Sequence, residues 1–313
     1  MLAYNHERFI RQSVESALTQ QTDFIFEIVI GEDCSTDNTR AILQELARAH
    51  PARIRLRLRE HNIGAGLNSV DTFAQCRGKY IAPLEGDDFW TSPEKLQRQV
   101  NYMDAHPSCS LCFHDATVVD ADGRIISPHV SDVPPQPTYD VMSLLKYNPV
   151  PTCSAMYRRS MLPELPDTIC RLRMQDWPTW LLLAARGSVA YLPFAGSAYR
   201  KHEGGVWSQL DTARQCGFVA DFYRVIGALL AREQHPDAHV WSYEAFTREK
   251  EMLIHLIYAL VQEGHWRRAR TIVLRYLFKG PHRKWLPPRD EFTFFLRLLA
   301  CLPSAPMRQN KKC

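Results

Sequence analysis

The stretch that decides the fold is Tyr80–Pro93, YIAPLEGDDFWTSP. Its first five residues are apolar or aromatic and predict a short buried strand. Three carboxylates follow at once, those of Glu85, Asp87 and Asp88. Like charges this close repel each other, so a cationic group is expected among them. We therefore expect a fold in which a buried strand is followed directly by a cluster of acids, with a cation bound among them.

The segments before this stretch alternate between strand and helix patterns. FEIVI (26–30) is a short apolar run, and RIRLRLR (53–59) alternates apolar and basic residues, as strands do. Helical patterns occupy 7–20 and 39–50. This alternation predicts an α/β fold with a mostly parallel sheet flanked by helices. The opening MLA (1–3) fits only the end of a strand, so the first strand is expected to be truncated.

A second acidic cluster follows the strand at 26–30 and contains Glu32, Asp33 and Asp37. Ligands of parallel α/β sheets bind at the carboxyl ends of the strands, where both clusters are predicted to lie. Turn and helix-cap chemistry is the alternative for this cluster, because Asp, Ser and Thr are common at helix starts. Two clusters at equivalent strand ends favour a divalent cation together with a polyphosphate.

The chain divides by pattern and by charge into two predicted regions. Residues 1–214 form the α/β domain, and the pattern of 215–313 is helical. From residue 264 to 313 there are 12 Lys and Arg against 2 Asp and Glu, whereas residues 1–263 carry 26 against 32. The second region is therefore an α-helical, basic C-terminal extension with partners of its own.

Composition indicates a globular protein of a reducing compartment. Of the 313 residues, 45% are hydrophobic and 23% are charged, which is close to the average for folded domains. No apolar run reaches the roughly 18 residues of a membrane-spanning helix, and the start has no signal-peptide pattern. The nine cysteines are scattered and odd in number, which predicts reduced thiols and a cytoplasmic location.

Four stretches, in order, resemble the family 2 glycosyltransferases. They are AYNHERFIRQSVESALTQ (3–20), IGEDCSTDNT (30–39), NIGAGLNSVDTFAQCRGKYIAPLEGDDFWTSPEKLQRQV (62–100), and MQDWPTWLLLAARG (174–187) followed by YRKHEGGVWS (199–208). The resemblance implies the Rossmann-like GT-A fold. It also implies inverting transfer of a sugar from a nucleotide diphosphate, UDP first among the donors, to a saccharide or lipid-linked acceptor. Cell-surface polysaccharide or glycolipid synthesis is the setting it suggests.

The same resemblance assigns roles to individual residues. Those expected to contact the nucleotide sugar are Tyr4, Asn5, Asp33, Asn62, Gly64, Glu85 and Asp87. Those expected to hold a Mn²⁺ or Mg²⁺ ion are Asp87, Asp88 and His202, although a surface loop histidine is the alternative for His202. Asp176 is the expected general base, and its alternative is a helix-dipole partner at the start of a helix. Arg200 and Lys201 are candidates to pair with phosphate, with exposed loop cations the alternative.

Three positions depart from the pattern of the family. Glu85 stands where Asp is usual, Gln175 where Glu precedes the base, and Cys34 where a glycine is usual in the nucleotide loop. Gln175 cannot hold a charge. Two other functions therefore stay open, a nucleotide-sugar-binding module without turnover and a sugar-phosphate nucleotidyltransferase.

Two kinds of contact remain to be predicted from the aromatic and basic residues. Trp90, Trp177 and Trp180 are candidates to stack on sugars, although core packing is favoured for Trp180. In the C-terminal region, EGHWRRARTIVLRYLFKGPHRKWLPP (263–288) and FTFFLRLLACLP (292–303) combine basic residues with apolar ones, which predicts peripheral contact with an anionic membrane. Packing on the catalytic domain is the alternative and is favoured for the first helix, whereas the final helix is the better candidate for membrane contact. No nucleic-acid-binding motif accompanies the basic residues, so no nucleic-acid partner is expected.

Overall fold

The computed structural model describes residues 1–131, 134–204 and 210–279. The strands are β1 (Leu2–Ala3), β2 (Ile28–Glu32), β3 (Ile54–Leu58), β4 (Tyr80–Ile81), β5 (Phe89–Trp90), β6 (Cys109–Val119), β7 (Ile125–Ser127), β8 (Thr138–Tyr139), β9 (Met156–Arg158) and β10 (Ser188–Arg200). The helices are α1 (Ile10–Leu18), α2 (Thr39–Ala49), α3 (Ala65–Ala74), α4 (Lys95–Ala105), α5 (Val141–Lys146), α6 (Asp167–Cys170), α7 (Asp176–Ala184), α8 (Thr212–Leu230), α9 (Ala238–Gln262) and α10 (Trp266–Lys279).

The first sheet is parallel and has the order β1-β2-β3. Leu2 pairs with Gly31 and Ala3 with Glu32, so these opening residues form a strand beside β2. Ile28 pairs with Ile54, and both are buried. Burial falls along β3, and Leu58 at its end is 38% exposed, so the alternating pattern marks an inner face only at the start of the strand.

The second sheet is mixed and has the order β4-β9-β6-β10-β5. Its two long strands, β6 and β10, run parallel, whereas β4, β5, β7, β8 and β9 all pair antiparallel with their neighbours. β6 and β7 form an antiparallel hairpin. The α/β fold with flanking helices is confirmed, and its parallel character resides in the first sheet and in the β6–β10 pair.

The acidic stretch joins the edge of the first sheet beside β1. Leu2 forms a parallel bridge with Glu85, and the Gly86 N–H donates to the Leu2 carbonyl at 2.9 Å. A Cβ atom at Gly86 would lie 2.6 Å from His6 Nδ1, so only glycine permits this approach. Since β1 has β2 on its other side, both acidic clusters emerge next to the end of β1.

The C-terminal helices continue the hydrophobic core of the domain. Phe222 and Ile226 of α8 and Trp241 of α9 pack in the same cluster as Trp180 of α7. A smaller cluster joins α8, α9 and α10. No described helix is both long and apolar enough to cross a bilayer. The segment at 292–302 lies outside the described residues.

The cysteines of the described ranges are all free thiols, as predicted. Cys109, Cys112 and Cys153 are buried. Burial raises the pKa of Cys109 and Cys112, so these thiols stay protonated and act as small apolar core residues.

Candidate active site

Asp33 follows β2 and is held by the loop that precedes α3. Its carboxylate accepts hydrogen bonds from the Ile63 N–H at 2.8 Å and from the Gly64 N–H at 2.9 Å. Asn62 donates from its side chain to the Asp33 carbonyl at 3.1 Å. Gly64 has a φ of 85°, a backbone conformation that side-chain-bearing residues rarely adopt. The structure therefore brings Asp33, Asn62 and Gly64 together.

The other two acids of the first cluster are matched by groups of the chain itself. Glu32 is fully buried and forms an ion pair with Arg40. Asp37 accepts from the Thr39 N–H at 2.9 Å and from the Glu7 N–H at 3.0 Å. Turn and cap chemistry accounts for these two carboxylates, and neither needs a bound cation.

Asn5 and Cys34 shape the loops beside Asp33. The Asn5 side chain accepts from the Thr36 N–H at 2.8 Å, and the Asn5 N–H donates to Ser35 Oγ at 3.0 Å. Asn5 and Cys34 both have positive φ, 55° and 60°. This explains why the family favours glycine at the position of Cys34, since glycine adopts that conformation without strain. The ring of Tyr4, next to Asn5, is 43% exposed.

Two histidines face the Asp87 carboxylate of the second cluster. His202 Nε2 lies 3.1 Å and His6 Nε2 lies 3.9 Å from Asp87 Oδ2. The Gly204 N–H donates to His202 Nδ1 at 3.2 Å, so Nε2 carries the proton that faces Asp87. Burial by itself raises the pKa of Asp87, but the His202 hydrogen bond and the charge of His6 outweigh it and hold that pKa below its usual value.

Glu85 and Asp88 hold their protons more tightly than Asp87 does. Burial, together with the negative charges of Asp87 and Asp176, raises the pKa of Glu85 to about 8. Burial and the same cluster of charges also raise the pKa of Asp88. Asp88 is 1% exposed; its Oδ1 accepts from the Arg200 N–H at 2.8 Å, and its Oδ2 makes no hydrogen bond within the described part of the chain. The acids are therefore unequal, and Asp87 is the one poised to be ionised.

Arg200 and Lys201 occupy different environments although they are adjacent. Arg200 is 4% exposed, and its guanidinium donates to backbone carbonyls and to the Gln12 side chain. These contacts do not support the prediction that Arg200 pairs with phosphate. Lys201 is exposed and lines a cleft.

Asp176 is the first residue of α7 and approaches the second cluster. Its Oδ2 accepts from Asn148 Nδ2 at 3.0 Å, and Asn148 Oδ1 in turn accepts from the Val150 N–H at 3.1 Å. Burial raises the pKa of Asp176, opposed by hydrogen bonds that include the one from Asn148. The charge of Asp176 contributes to the raised pKa of Glu85, so the two carboxylates interact electrostatically.

Gln175 is built into the structure as an amide. Its Oε1 accepts from Ser69 Oγ at 2.6 Å, and its Nε2 donates to the carbonyls of Cys170 and Leu172, both at 3.3 Å. A glutamate here would place a carboxylate against two carbonyl oxygens. A Cβ at Gly66 would lie 2.2 Å from Gln175 Nε2, so glycine allows this contact. The amide that stands in place of the family's acid therefore has hydrogen-bond partners for both its oxygen and its nitrogen.

The three candidate sugar-stacking tryptophans belong to the core instead. Trp180 is 2% exposed. Trp177 Nε1 donates to the Leu144 carbonyl at 2.7 Å, and Trp90 Nε1 donates to the Cys153 carbonyl at 2.9 Å. The expectation that Trp90 and Trp177 stack on sugars is therefore wrong, because both rings are about nine-tenths buried and their polar ends are already paired.

A cleft of about 570 Å³ opens beside His202. It is lined by Asn5, Glu7, Arg8, Phe9, Asp37, Asp120, Ala121, Lys201, His202, Glu203 and Gly204. The cleft thus connects the loop that follows β1 with the loop that follows β10. Both basic and acidic side chains line it, so its charge is mixed.

The protein side chains fit a divalent cation only in combination with a phosphate ligand. Within the described ranges, no group of three or more His, Cys, Asp or Glu side chains is arranged to hold a metal ion. Asp87 and His202 nevertheless provide one carboxylate and one imidazole at the same point. Mg²⁺ and similar ions are often held by one or two protein groups plus substrate phosphates, which matches this pair. Ion binding through Nε2 would require the imidazole proton to move to Nδ1, in place of the hydrogen bond that Nδ1 now accepts from the Gly204 N–H.

The model of the glycosyl transferase family 2 matches residues 1–166, more than half of the chain. The chain belongs to this family. An uncharacterised protein of Mycobacterium tuberculosis is 37% identical over 217 residues, covering 68% of this chain and 61% of that protein. A putative teichuronic acid biosynthesis glycosyltransferase of Bacillus subtilis is 32% identical over 189 residues, covering 60% of this chain and 72% of that enzyme. The chain thus spans about three fifths of the mycobacterial relative.

The fold of this family 2 glycosyltransferase also matches solved structures. Residues 1–349 of TarS from S. aureus, in complex with UDP-GlcNAc, superpose with a TM-score of 0.61 at 19% identity. The match covers 95% of this chain and 88% of that one. At this identity the likeness establishes a shared GT-A fold, which confirms the predicted fold class.

Two residues of the site were missed by sequence reasoning. His6 was passed over because it lies in the loop before α1, far from Asp87 in sequence. Asn148 lies in an irregular segment with no motif around it. The sequence around His6 and Asn148 gave no sign of either contact, since both contacts depend on how the sheets join. Only the closeness of His6 to Asn5 could have drawn attention to it.

Proposed function

We propose that this protein is an inverting, metal-dependent glycosyltransferase. It transfers a sugar from a nucleotide diphosphate, UDP in the first instance, to a hydroxyl group of a saccharide or lipid-linked acceptor. The observation that carries the proposal is the acidic loop at Glu85–Asp88, where His202 Nε2 lies 3.1 Å from Asp87 Oδ2 and the charge of Asp176 helps to raise the pKa of Glu85. This arrangement places a general-base candidate beside a candidate site for a diphosphate and a cation.

The nucleotide end of the donor is assigned to the first cluster. Asp33 would accept a hydrogen bond from the base, and Asn62 and Gly64 hold its carboxylate and carbonyl in place. Tyr4 and Asn5 emerge between the two clusters and are assigned to the same pocket. Because its oxygens already accept two backbone N–H groups, Asp33 is fixed before the donor binds.

The diphosphate end is assigned to Asp87 and His202, which would hold Mn²⁺ or Mg²⁺ there. When bound, the ion stabilises the negative charge that gathers on the leaving group. Glu85 would contact the ion or the ribose. Asp88 was also expected at the ion, but its carboxylate is buried against the Arg200 N–H, so we assign it to support of the loop.

The acceptor hydroxyl loses its proton to Asp176 as it attacks the anomeric carbon. The bond from carbon to phosphate oxygen breaks as the bond to the acceptor oxygen forms, so a single displacement inverts the anomeric centre. Asn148 donates to Oδ2 of Asp176 and so helps to hold the carboxylate that takes the proton. The raised pKa of Asp176 makes it a stronger base than an exposed aspartate.

We further propose a cytoplasmic setting with peripheral contact to an anionic membrane, in cell-surface polysaccharide or glycolipid synthesis. The name of the B. subtilis relative supports that pathway class. Arg267, Arg268 and Arg275 are exposed along α10, which supports contact with anionic headgroups. Flotation with liposomes that contain or lack anionic lipid tests the contact, and equal recovery would contradict it.

A panel of UDP-sugars tests the proposed reaction. The assay contains Mn²⁺ and candidate acceptors such as short oligosaccharides. For at least one donor, UDP should be released faster than in the same reaction without an acceptor. NMR of the product should show the anomeric configuration opposite to that of the donor. Binding of UDP without release from any donor would instead favour a binding module without turnover.

A further inference from the structure

Arg200 ends β10 beneath the acidic loop and is committed to oxygens of the chain. Four of its guanidinium hydrogens have separate acceptors. Nε donates to the Asp87 carbonyl at 2.8 Å, Nη1 to the carbonyls of Asp120 and Ala121 at 3.1 Å, and Nη2 to Gln12 Oε1 at 2.7 Å. The side chain therefore ties together the acidic loop, the β6–β7 turn and α1.

The backbone N–H of Arg200 makes a further hydrogen bond to the same loop. Its N–H donates to Asp88 Oδ1 at 2.8 Å, while its side chain holds the carbonyl of Asp87. These two acceptors belong to adjacent residues. The Asp87 carbonyl belongs to the peptide between Asp87 and Asp88, so its bond to Nε holds that peptide in place, and the bond to Oδ1 holds the Asp88 side chain beside it.

Two aromatic rings complete the environment of the guanidinium. Its carbon lies 4.7 Å from the centroid of Phe9 and 5.2 Å from that of Phe89, both within cation–π range. The Phe9 ring also packs against His202, with ring centroids 4.9 Å apart. Arg200 is thus connected to Asp87 through a hydrogen bond and to His202 through Phe9.

The positive charge of Arg200 also offsets part of the repulsion between the crowded acids. A buried carboxylate is costly unless a positive group lies near it, and Arg200 cannot lose its charge in a protein. The positive charge of Arg200 lies close to both Asp87 and Asp88. The chain therefore supplies one permanent cation of its own to the acidic loop.

We propose that Arg200 is a positioning residue that fixes Asp87 and His202 for the diphosphate and its cation; this inference rests on the proposed function. It contacts neither the donor nor the acceptor. Lysine cannot take its place, because one ammonium group has three hydrogens and no planar fork with which to span four separate oxygens.

The test compares Arg200→Lys with a matched control, Arg158→Lys. Arg158 at the end of β9 also binds backbone carbonyls, donating to Met103 at 2.8 Å and Cys109 at 3.3 Å, and it packs on Tyr80. Calorimetry measures the Kd of UDP with Mn²⁺ and with EDTA. Hydrogen exchange measures the protection of the amides at 86–90.

Arg200→Lys should weaken UDP binding in Mn²⁺ about tenfold or more, while the Kd in EDTA stays within about twofold of wild type. The amides at 86–90 should exchange faster. Arg158→Lys should lose thermal stability yet keep the wild-type Kd in Mn²⁺. An Arg200→Lys protein with a wild-type Kd in Mn²⁺ would overturn the proposal, whatever its stability.

Two further measurements test the role of Arg200 if the variant does not fold or if the wild-type protein does not bind UDP with Mn²⁺. If Arg200→Lys does not fold, Gln12→Ala removes one of the four side-chain bonds and should weaken UDP binding in Mn²⁺ by about twofold to fivefold; no change would count against the proposal. If wild-type protein shows no Mn²⁺-dependent UDP binding, the proposed function fails instead. Exchange at 86–90 then decides the role of Arg200, and unchanged exchange in Arg200→Lys overturns it.

Discussion

The two acidic clusters differ in how their charges are matched. In the first cluster, Glu32 is paired with Arg40, and Asp33 is bound by two backbone N–H groups. In the second, the pKa of Glu85 rises to about 8, and one oxygen of Asp88 is buried without a hydrogen-bond partner in the described part of the chain. Matched carboxylates build the frame of the site. In the second cluster the charge of Asp87 helps to raise the pKa of Glu85 and of Asp88, so a positive charge beside Asp87 is favoured.

Replacing Asp176 should have the largest effect, because it removes the base that works beside the second cluster. Asp176→Asn should lower the transfer rate by about 10²- to 10⁴-fold, while UDP affinity is retained. Asp237→Asn, at the start of α9, is the matched control and should leave the rate unchanged. Retained turnover in Asp176→Asn would show that Asp176 is not the general base.

Asp87 and Asp37 offer the most direct contrast between the clusters. UDP with Mn²⁺ should raise the melting temperature of wild type, since a ligand that binds only the folded state stabilises it. We expect Asp87→Asn to abolish that rise and Asp37→Asn to keep it. The measurement is thermal unfolding with and without the ligands. A full ligand shift in Asp87→Asn would show that the second cluster does not hold the diphosphate.

The pH dependence of transfer should follow Asp176. Burial raises its pKa, so the base becomes protonated and the rate falls at a higher pH than for an exposed aspartate. Asn148 donates to the ionised form and lowers that pKa. In Asn148→Ala the acid limb of the rate profile should therefore move to higher pH. An unmoved limb in this variant would mean that another group controls the profile.

Glu32→Gln tests the structural character of the first cluster. Loss of the charge opposite Arg40 should cost about 1–3 kcal/mol in the free energy of unfolding, because a charged hydrogen-bond partner is lost in a buried position. Urea denaturation measures this cost. The Kd of UDP, measured under conditions where the variant is folded, should remain near that of wild type. A large loss of affinity without loss of stability would place Glu32 in the donor site.

The smallest effect is expected at Cys34. Its φ of 60° costs a side-chain-bearing residue roughly 1–2 kcal/mol, which glycine avoids. Glycine also loses more entropy on folding, so Cys34→Gly should be neutral or stabilising by about 1 kcal/mol. Cys34→Val should be destabilising. Chemical denaturation of both variants provides the comparison, and a destabilised Cys34→Gly protein would contradict this account of the loop.

The sequence predicted much of this molecule because its signals are local. The helix that starts at Asp176 appears where its pattern placed it, the strand predicted at 26–30 appears at Ile28–Glu32, and the apolar run before Glu85 forms a strand over Tyr80–Ile81. The contacts of His6, Asn148 and the Arg200 guanidinium did not follow, because each joins segments far apart in the chain. Sequence also could not tell which acid of a cluster is already matched, since that depends on the direction of side chains and backbone N–H groups.

The most direct test of the account is calorimetric titration of UDP into the wild-type protein, once with Mn²⁺ and once with EDTA. If the second cluster holds the donor diphosphate through a cation, UDP should bind at least about tenfold more tightly with Mn²⁺. Equal affinity under the two conditions would contradict the account.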